Sequence, residues 1–290
     1  MSRFALLGDP VAHSKSPAMH AAAYRALGMP HTYEAIRANA GELAAHVARL
    51  RRGEIDGFNV TVPHKRAILA LVDVVAPSAL ACGAANTLVR EADGSIHAHN
   101  TDVPALAEEI ARLAPDRAGA WESACAIVLG SGGAARSAVA ALARELGILR
   151  VVVRARAYDD RAAGERFVSE LRPLLGDAAA RTEIFTDGFA PRAEVERRAD
   201  VVVQATSAGM SGASPGEAAA DAIAWSDLPP RAVALDVVYA PPDTPFLRAA
   251  TAHGLRSANG IGMLARQGAL AFELWLGVPA PYNAMLAALL

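Results

Sequence analysis

The order of apolar and polar positions in the first hundred residues predicts short strands that alternate with helices. Phe4–Leu7 is an apolar run that ends at a Gly-Asp-Pro turn, and Ser16–Leu27 has apolar residues at helical spacing with a proline near its start. Four elements follow in the same order: a strand at 31–36, a helix at 41–52, a strand at 57–62 and a helix at 65–71. Alternating strands and helices predict a sheet with parallel strands covered by helices. Two short strands around Asp93 and Gly94 add a hairpin.

A second series of alternating elements begins after the loop at 114–123. We expect strands at 124–130, 150–155, 182–185, 200–206 and 232–239. Between them we expect helices at 134–146, up to about 175, and at 191–198. The residues from Gly260 onward have a helical pattern and are expected to pack back on the rest of the chain. The pattern therefore predicts a two-domain α/β protein, with an N-terminal α/β domain and a Rossmann-like second domain.

A polar face is predicted on the strand that contains the sequence NVTVPHK, residues 59–65. Asn59 and Thr61 alternate with valines, as in a half-buried strand, and Lys65 follows just beyond the strand end. Two further polar residues lie at ends of strands, Asn86 in GAANT and Asp102 in HNTD. Amides, a hydroxyl, an ammonium and a carboxylate grouped in this way favour a crevice that binds a small polyhydroxylated acid.

The sequence HSKSP places Ser14 and Ser16 in a loop that leads into a helix. Their hydroxyls are further candidates for contact with an acidic ligand. A structural interpretation is equally open at this point, in which Ser16 is the N-cap of the helix and Ser14 is a turn residue.

A glycine-rich turn, GSGGAA at 130–135, follows an apolar strand and opens a helix. This context matches the dinucleotide-binding pattern G-x-G-x-x-G/A: Gly130 permits a tight turn, Gly132 allows a pyrophosphate to approach the backbone, and Ala135 allows close helix packing. The alternative is an ordinary strand-to-helix turn. The acid that usually holds the ribose of NAD is missing, and Arg154 and Arg156 lie there instead. Guanidinium groups suit a 2′-phosphate, although a solvated strand end is the other interpretation.

The composition limits the classes of partner. The 290 residues are 53% hydrophobic and 20% charged, with a formal net charge of −2, so nucleic acid and anionic membranes are unlikely partners. Cys82 and Cys125 have no metal-type or disulfide-type spacing, and His97 and His99 have no third ligand, so we expect no metal. No targeting segment or apolar run of about 20 residues precedes the first strand, which favours the cytoplasm.

Seven ordered motifs together resemble the shikimate dehydrogenase family. They are GDPVAHSKSP, GFNVTVPHK, GAANTL, HNTD, GSGGAAR, QATSAGM and NGIGMLARQGALAFELW, and they extend over nearly the whole chain. The resemblance implies a substrate domain at 1–104 with helices at 264–290, and a Rossmann-like NADP domain at 105–263. It implies reversible NADPH-dependent reduction of 3-dehydroshikimate to shikimate, by a monomer or homodimer.

The resemblance also implies roles for individual residues. Lys65 is the expected catalytic acid/base, beside Asp102. The implied substrate ligands are Ser14, Ser16, Asn59, Thr61, Asn86, Asp102, Tyr239 and Gln267. The implied NADP-binding residues are Gly130, Ser131, Gly132, Gly133, Ala134, Arg154, Arg156, Thr206, Gly260 and Met263.

One departure from the family pattern concerns the cofactor, because Val153-Arg154-Ala155 replaces the usual Asn-Arg-Thr. We therefore expect NADP to be preferred, but only modestly. Two other functions remain open: a relative that acts on quinate or an aminated analogue with NAD, and a non-enzymatic ligand sensor. Retention of both Lys65 and Asp102 argues against the sensor. The serine pair, Ser14 and Ser16, favours shikimate over quinate.

Overall fold

The computed structural model describes residues 1–117 and 119–290 as a chain of alternating strands and helices. In chain order, the strands are β1 (Arg3–Gly8), β2 (Thr32–Arg37), β3 (Gly57–Val60), β4 (Val74–Val75), β5 (Thr87–Arg90), β6 (Ile96–His99), β7 (Cys125–Leu129), β8 (Arg150–Arg154), β9 (Glu183–Asp187), β10 (Ala199–Gln204), β11 (Val233–Asp236) and β12 (Arg256–Ala258). The α-helices are α1 (Ser16–Ala26), α2 (Leu43–Arg51), α3 (Pro77–Leu80), α4 (Asp102–Leu113), α5 (Gly133–Ala140), α6 (Arg161–Leu171), α7 (Ala193–Glu196), α8 (Glu217–Asp221), α9 (Pro245–Ala252), α10 (Ile261–Leu276) and α11 (Tyr282–Ala287).

The chain divides into two compact units. The first consists of residues 1–102 and 264–290, and the second of residues 103–263. The boundaries expected from the sequence were 104/105 and 263/264, so the first differs by two residues and the second is the same.

The first unit is built on a mixed sheet with the strand order β2-β1-β3-β5-β6-β4. β1 is parallel to both β2 and β3, whereas β5 is antiparallel to β3 and β6. The β5–β6 pair is the predicted hairpin around Asp93 and Gly94. Apolar side chains of β1, β3 and α2 form the core beneath this sheet.

From Leu264 onward the two C-terminal helices belong to the first unit, where they pack on its N-terminal elements. Trp275 of α10 stacks on Phe4 of β1 with ring centroids 4.7 Å apart. A side chain at Gly57 would lie 2.3 Å from Trp275 Nε1, so this position has no room for a Cβ. Near the end of the chain, Lys15 Nζ donates to the carbonyl of Leu289 at 2.5 Å. These contacts connect α10 and α11 to the strands and to the loop before α1.

The second unit is a parallel sheet with the strand order β12-β11-β10-β7-β8-β9. All residues of β7 and β10 are buried, as expected for central parallel strands covered by helices on both faces. The chain runs outward from β7 through β8 and β9 on one side, and through β10, β11 and β12 on the other. The order therefore reverses beside β7, which is the position where such sheets bind nucleotides. The predicted Rossmann-like fold is confirmed.

Several local predictions were wrong. The strand predicted at 57–62 to be half-buried ends at Val60 and is buried on both faces. Phe58 and Val60 lie in the core with α2, and Trp275 of α10 covers Gly57 on the other face. The helix predicted at 65–71 is a 3₁₀ segment, Ala67–Leu71. The helix predicted at 134–146, by contrast, is confirmed as α5 followed by a π-helical turn, Ala141–Glu145. In the described part of the chain, no helix has the length and apolar character needed to cross a membrane.

Candidate active site

Lys65 and Asp102 form a close ion pair in the first unit. Lys65 Nζ lies 2.6 Å from Asp102 Oδ2, and the two side chains are 15% and 4% exposed. The Lys65 carbonyl accepts a hydrogen bond from the Ala85 amide at 2.8 Å, which connects this turn to the segment before β5. Asp102 begins α4, and its own amide donates to Asn100 Oδ1 at 3.0 Å. The backbone at both ends of the pair is therefore fixed.

Asn86 connects the ion pair to α10. Its Nδ2 lies 2.9 Å from Asp102 Oδ1 and 3.3 Å from Gln267 Oε1. Its Oδ1 accepts from the backbone amide of Thr101 at 2.8 Å. Asn86 and Gln267 are both almost fully buried. Four predicted site residues, Lys65, Asn86, Asp102 and Gln267, are thus brought together in one cluster.

Asn59 lies inside the first unit rather than on an open polar face. Its Nδ2 donates to the Asn86 carbonyl and to Thr87 Oγ1, both at 3.1 Å. Its Oδ1 accepts from the Tyr33 hydroxyl at 2.8 Å. With the side chain 4% exposed and both N–H groups bonded, a substrate can reach only the second lone pair of Oδ1.

The hydroxyls of Ser14, Ser16 and Thr61 still have hydrogen-bonding capacity. Ser14 Oγ accepts from the Ser16 amide at 3.2 Å, which leaves the hydroxyl hydrogen available. In the described residues the Ser16 and Thr61 hydroxyls make no hydrogen bond. Ser16 is the first residue of α1 and does not cap it, whereas Ser14 does act as a turn residue. These hydroxyls are able to donate to a ligand.

The glycine-rich turn of the second unit has the shape that a pyrophosphate requires. Gly130 has a φ of 125°, and a Cβ there would lie 2.8 Å from the Ala205 carbonyl oxygen. A Cβ on Gly132, by contrast, would meet no atom within 4 Å. Gly132 precedes α5, whose N-terminus has no side-chain cap, and Ala135 is fully buried. Free backbone N–H groups therefore face open space at a helix N-terminus, as anion binding requires.

The remaining predicted residues around the pyrophosphate site lie at two neighbouring strand ends. Ser131 follows Gly130 in the turn, and Gly133 and Ala134 begin α5. Thr206 follows β10, and its Oγ1 accepts from the Ala208 amide at 3.0 Å. The Thr206 methyl lies 3.2 Å from the position of a Cβ on Gly130, so both connections meet at the glycine-rich turn.

The predicted contact between Arg154 and a 2′-phosphate is wrong. The Arg154 side chain is fully buried, with Nη1 2.6 Å from Glu196 Oε1 and Nη2 3.1 Å from Glu196 Oε2. Nη1 also donates to the Ala222 carbonyl at 2.9 Å. The guanidinium is enclosed by these groups and offers no surface to a ligand. Arg154 contributes through its backbone instead, because its carbonyl accepts from the Gly130 amide at 2.8 Å.

Arg156, unlike Arg154, lies at the surface. It begins the 3₁₀ segment Arg156–Asp159 directly after β8 and is exposed. In the described residues its side chain has no ion-pair or hydrogen-bond partner. A contact between Arg156 and the cofactor stays a prediction.

Three more predicted residues, Tyr239, Gly260 and Met263, belong to the second unit. The Gly260 amide donates to the Val238 carbonyl at 3.0 Å, and a Cβ at Gly260 would lie 2.2 Å from the Val237 carbonyl oxygen. Tyr239 is half-buried in the loop after β11, and Met263 is buried in α10. Their roles toward substrate and cofactor stay predictions.

The loop that carries Tyr239 is held at both ends by a buried carboxylate. Asp236 Oδ1 accepts from the Val238 amide at 2.9 Å, and Asp236 Oδ2 accepts from the Thr244 hydroxyl at 2.6 Å. Burial raises the pKa of Asp236 to about 6, while these two hydrogen bonds act in the opposite direction. This pKa of about 6 lies well above that of an ordinary aspartate.

The sequence analysis missed three residues that hydrogen-bond to predicted site residues. Thr87 and Thr101 contact Asn86, and Tyr33 contacts Asn59. Thr87 and Thr101 were adjacent to predicted site residues, and the motifs GAANT and HNTD contained them. Tyr33 is in β2, and no local pattern connects it to Asn59, which lies 26 residues further along the chain. In the described chain, no three histidine, cysteine or carboxylate side chains are arranged to hold a metal ion.

Comparison with known proteins gives matches over most of the chain. Residues 6–88 match the family model of the shikimate dehydrogenase substrate binding domain, and residues 260–290 match that of the shikimate 5'-dehydrogenase C-terminal domain. The chain is 41% identical to the shikimate dehydrogenase (NADP(+)) of Citrifermentans bemidjiense over 288 residues, covering 97% of this chain and 91% of that protein.

Solved structures share both units. A shikimate 5-dehydrogenase from Thermus thermophilus, in complex with NADP(H) and shikimate, is 37% identical with a TM-score of 0.78, covering 100% of this chain and 98% of that one. A quinate dehydrogenase from Corynebacterium glutamicum in complex with NAD is 28% identical with a TM-score of 0.83, covering 99% and 97%. The fold alone therefore does not distinguish these substrates or cofactors. The identity over nearly the full length shows that the chain belongs to the shikimate dehydrogenase family.

Proposed function

We propose that this protein is an NADP-dependent dehydrogenase that reversibly reduces 3-dehydroshikimate to shikimate. The observation that carries the proposal is the Lys65–Asp102 pair, 2.6 Å apart and largely buried, in the same unit as the hydroxyls of Ser14, Ser16 and Thr61. Ligand binding alone does not require an acid/base pair, whereas reduction of a ketone needs a proton donor. The curated relative from Citrifermentans bemidjiense is a shikimate dehydrogenase (NADP(+)), which supports this activity.

Lys65 supplies the proton in this reaction. As the carbonyl carbon is reduced, negative charge develops on the carbonyl oxygen, and the Lys65 ammonium donates a proton to it and stabilises the charge. In the reverse direction, neutral Lys65 takes the hydroxyl proton. Asp102 holds Nζ in place and accepts a hydrogen bond from a substrate hydroxyl through its remaining lone pairs.

The other polar side chains of the first unit position the substrate. Ser14 and Ser16 donate to its carboxylate, since neither hydroxyl hydrogen is used within residues 1–117 and 119–290. The Thr61 hydroxyl, which has no hydrogen bond in the same described ranges, donates to the substrate ring. Asn59, Asn86, Gln267 and Tyr239 complete the set of proposed ligands, with the contribution of Asn59 limited to its Oδ1.

The second unit suits a dinucleotide, since the open space at Gly132 and the uncapped N-terminus of α5 fit a pyrophosphate. Ser131, Gly133 and Ala134 would supply backbone N–H groups, and Arg156 is the guanidinium available for a 2′-phosphate. Thr206, Gly260 and Met263 would line the rest of the cofactor site. When bound, NADPH supplies the hydride for the carbonyl carbon.

An assay of the purified protein tests this proposal. Oxidation of shikimate and of quinate would each be measured with NADP and with NAD. We expect the largest kcat/KM for shikimate with NADP. Faster oxidation of quinate, or equal use of NAD, would favour the quinate-type relative. No turnover of either substrate, together with measurable shikimate binding in calorimetry, would favour the sensor.

Location and assembly are further parts of this proposal. We infer that the protein acts in the cytoplasm, where soluble NADP(H) and the other metabolites of a biosynthetic enzyme are found. A monomer and a homodimer are both compatible with a single-chain active site. Size-exclusion chromatography with light scattering distinguishes them.

A further inference from the structure

The side chains behind the Lys65–Asp102 pair form one continuous line of hydrogen bonds within the first unit. The Tyr33 hydroxyl donates to Asn59 Oδ1 at 2.8 Å, and Asn59 Nδ2 donates to Thr87 Oγ1 at 3.1 Å. Thr87 Oγ1 then donates to Asn86 Oδ1 at 3.0 Å, and Asn86 Nδ2 donates to Asp102 Oδ1 at 2.9 Å. The line ends on the carboxylate that holds Lys65.

Backbone groups fix the direction of this line. The Thr101 amide can only donate, and it bonds Asn86 Oδ1 at 2.8 Å, so Asn86 Nδ2 must face Asp102. The Asn86 carbonyl can only accept, and it bonds Asn59 Nδ2 at 3.1 Å, so Asn59 Oδ1 must face Tyr33. Both amide orientations are therefore set by the main chain.

The two fixed amides leave one arrangement for the hydroxyls between and before them. Thr87 must accept from Asn59 and use its single hydrogen to donate to Asn86. Tyr33 must donate to Asn59. Every donor in the series points toward Asp102, and bonds aligned in this way polarise one another in a buried environment. Asn59, Thr87, Asn86 and Asp102 are each at most 4% exposed, so water does not compete with the line.

We propose that Tyr33 and Thr87 are positioning residues, which orient Asp102, and through it Lys65, by the hydrogen-bond line Tyr33–Asn59–Thr87–Asn86. This inference rests on the proposed function for its kinetic consequence. Removal of the Thr87 hydroxyl would leave a buried Asn59 N–H without its acceptor and Asn86 Oδ1 with one donor fewer. The Asn86 side-chain oxygen would then be held by Thr101 alone, so Asn86 would be less firmly fixed and its donation to Asp102 would weaken.

Thr87→Val is the main test, because valine keeps the shape of threonine and lacks the hydroxyl. We expect kcat for shikimate oxidation to fall about tenfold to a hundredfold, as small misplacements of catalytic groups do, with KM changed less than about threefold. Thr87→Ser restores the hydroxyl and should recover kcat to within about threefold. If Thr87→Ser is as slow as Thr87→Val, the methyl group and packing matter, and the proposal is wrong.

Tyr33 has a matched control in Tyr24. Both tyrosines lie in the same aromatic group, but the Tyr24 hydroxyl is buried and has no hydrogen-bond partner among the described residues. Tyr33→Phe should lower kcat about threefold to tenfold, since it removes only the far end of the line, whereas Tyr24→Phe should leave kcat unchanged. If Tyr33→Phe and Tyr24→Phe change kcat equally, Tyr33 is not a positioning residue.

A measurement that does not depend on turnover separates this inference from the proposed function. The chain has six asparagines, so side-chain amide signals of ¹⁵N-asparagine-labelled protein can be assigned by substitution. We expect the Asn86 side-chain amide to exchange with solvent at least about tenfold faster in Thr87→Val than in the wild type and in Tyr24→Phe. If the Asn86 side-chain amide exchanges equally fast in Thr87→Val and in the wild type, the inference that Thr87 positions Asn86 is wrong. If exchange is faster in Thr87→Val but the wild type does not oxidise shikimate, the inference holds and only the proposed function is rejected.

Discussion

Arg154 and Glu196 face each other inside the second unit, with both side chains fully buried and Arg154 Nη1 2.6 Å from Glu196 Oε1. Glu196 also accepts from the amides of Arg192 and Ala224, both at 3.2 Å. The pair therefore connects the end of β8 to α7 and to the segment after α8. Removal of either partner would leave the other charge buried without compensation, which typically costs about 3–5 kcal/mol.

We expect Arg154→Ala to lower the free energy of unfolding by about 3–5 kcal/mol in denaturant titrations, because Glu196 loses its counter-ion. Arg161→Ala is the control, since Arg161 and Glu165 form an ion pair with side chains 91% and 64% exposed. Exposed helical pairs contribute about 0.5 kcal/mol or less. A decrease below about 1 kcal/mol in Arg154→Ala would show that the buried pair stabilises little.

The choice of NADP over NAD is expected to depend on Arg156. Its exposed guanidinium can make a charge-assisted hydrogen bond to a 2′-phosphate, and such a contact contributes about 1.5–3 kcal/mol. Arg156→Ala should therefore lower kcat/KM for NADP about tenfold to a hundredfold and leave that for NAD unchanged. Arg161→Ala again serves as the control, as an exposed arginine nearby in the sequence. An unchanged cofactor ratio would exclude Arg156 from this contact.

Arg154 shows where prediction from the sequence reached its limit. The pattern correctly predicted β8 and the arginines at its end, but not the direction of each side chain. Glu196, the partner of Arg154, is 42 residues away in a short helix, and no local signal connects the two. Asn59 is a similar case, since its alternation with valines is typical of a half-buried strand. β3 is instead buried on both faces, and distant polar groups satisfy the Asn59 amide.

The features that were predicted correctly depend on local sequence. The two-domain α/β class, the hairpin at Asp93 and Gly94 and the glycine-rich turn all follow from residue periodicity and from backbone requirements of glycine. Lys65, Asn86 and Asp102 were grouped because each lies at the end of a strand, and strand ends converge. The Thr87 hydroxyl was not predicted, because its role is visible only from its hydrogen bonds to Asn59 and Asn86 in the folded structure.

Lys65→Ala should lower kcat for shikimate oxidation by about 10²–10⁴-fold, since the variant lacks the group that transfers the proton. Shikimate affinity, measured by calorimetry, should stay within about tenfold. Arg66→Ala is the control, because Arg66 is the adjacent cation and is exposed. A folded Lys65→Ala variant that retains more than about a tenth of kcat would exclude Lys65 as the acid/base.

Asp236 should make stability depend on pH in the direction opposite to that of most carboxylates. Burial raises its pKa from 3.8 to about 6, so the folded protein binds this proton more tightly than the unfolded chain does. The resulting stabilisation is complete below about pH 4 and is lost as the pH rises through about 6. A pKa difference of about two between the folded and unfolded states corresponds to about 3 kcal/mol.

Asp236→Asn removes this titration. As the pH rises from 4 to 7.5, the wild type should lose up to about 3 kcal/mol of stability that the variant does not lose. The free energy of unfolding of the variant minus that of the wild type should increase by this amount. Denaturant titrations of both proteins across this range measure the difference. Parallel pH profiles would show that Asp236 does not titrate there.

Ser16→Ala and Ser14→Ala should separate substrate binding from local structure. The Ser16 hydroxyl makes no hydrogen bond in the described chain, so its removal should raise KM for shikimate about tenfold and leave Tm unchanged. Ser14 Oγ accepts from the Ser16 amide, so Ser14→Ala should raise KM similarly and also destabilise the fold by about 1 kcal/mol. Ser169→Ala, which removes a hydroxyl bonded to the Arg166 carbonyl in the second unit, is the control for KM. If Tm falls in both variants while KM stays constant, the two serines are structural residues of the loop before α1, and another group must bind the substrate carboxylate.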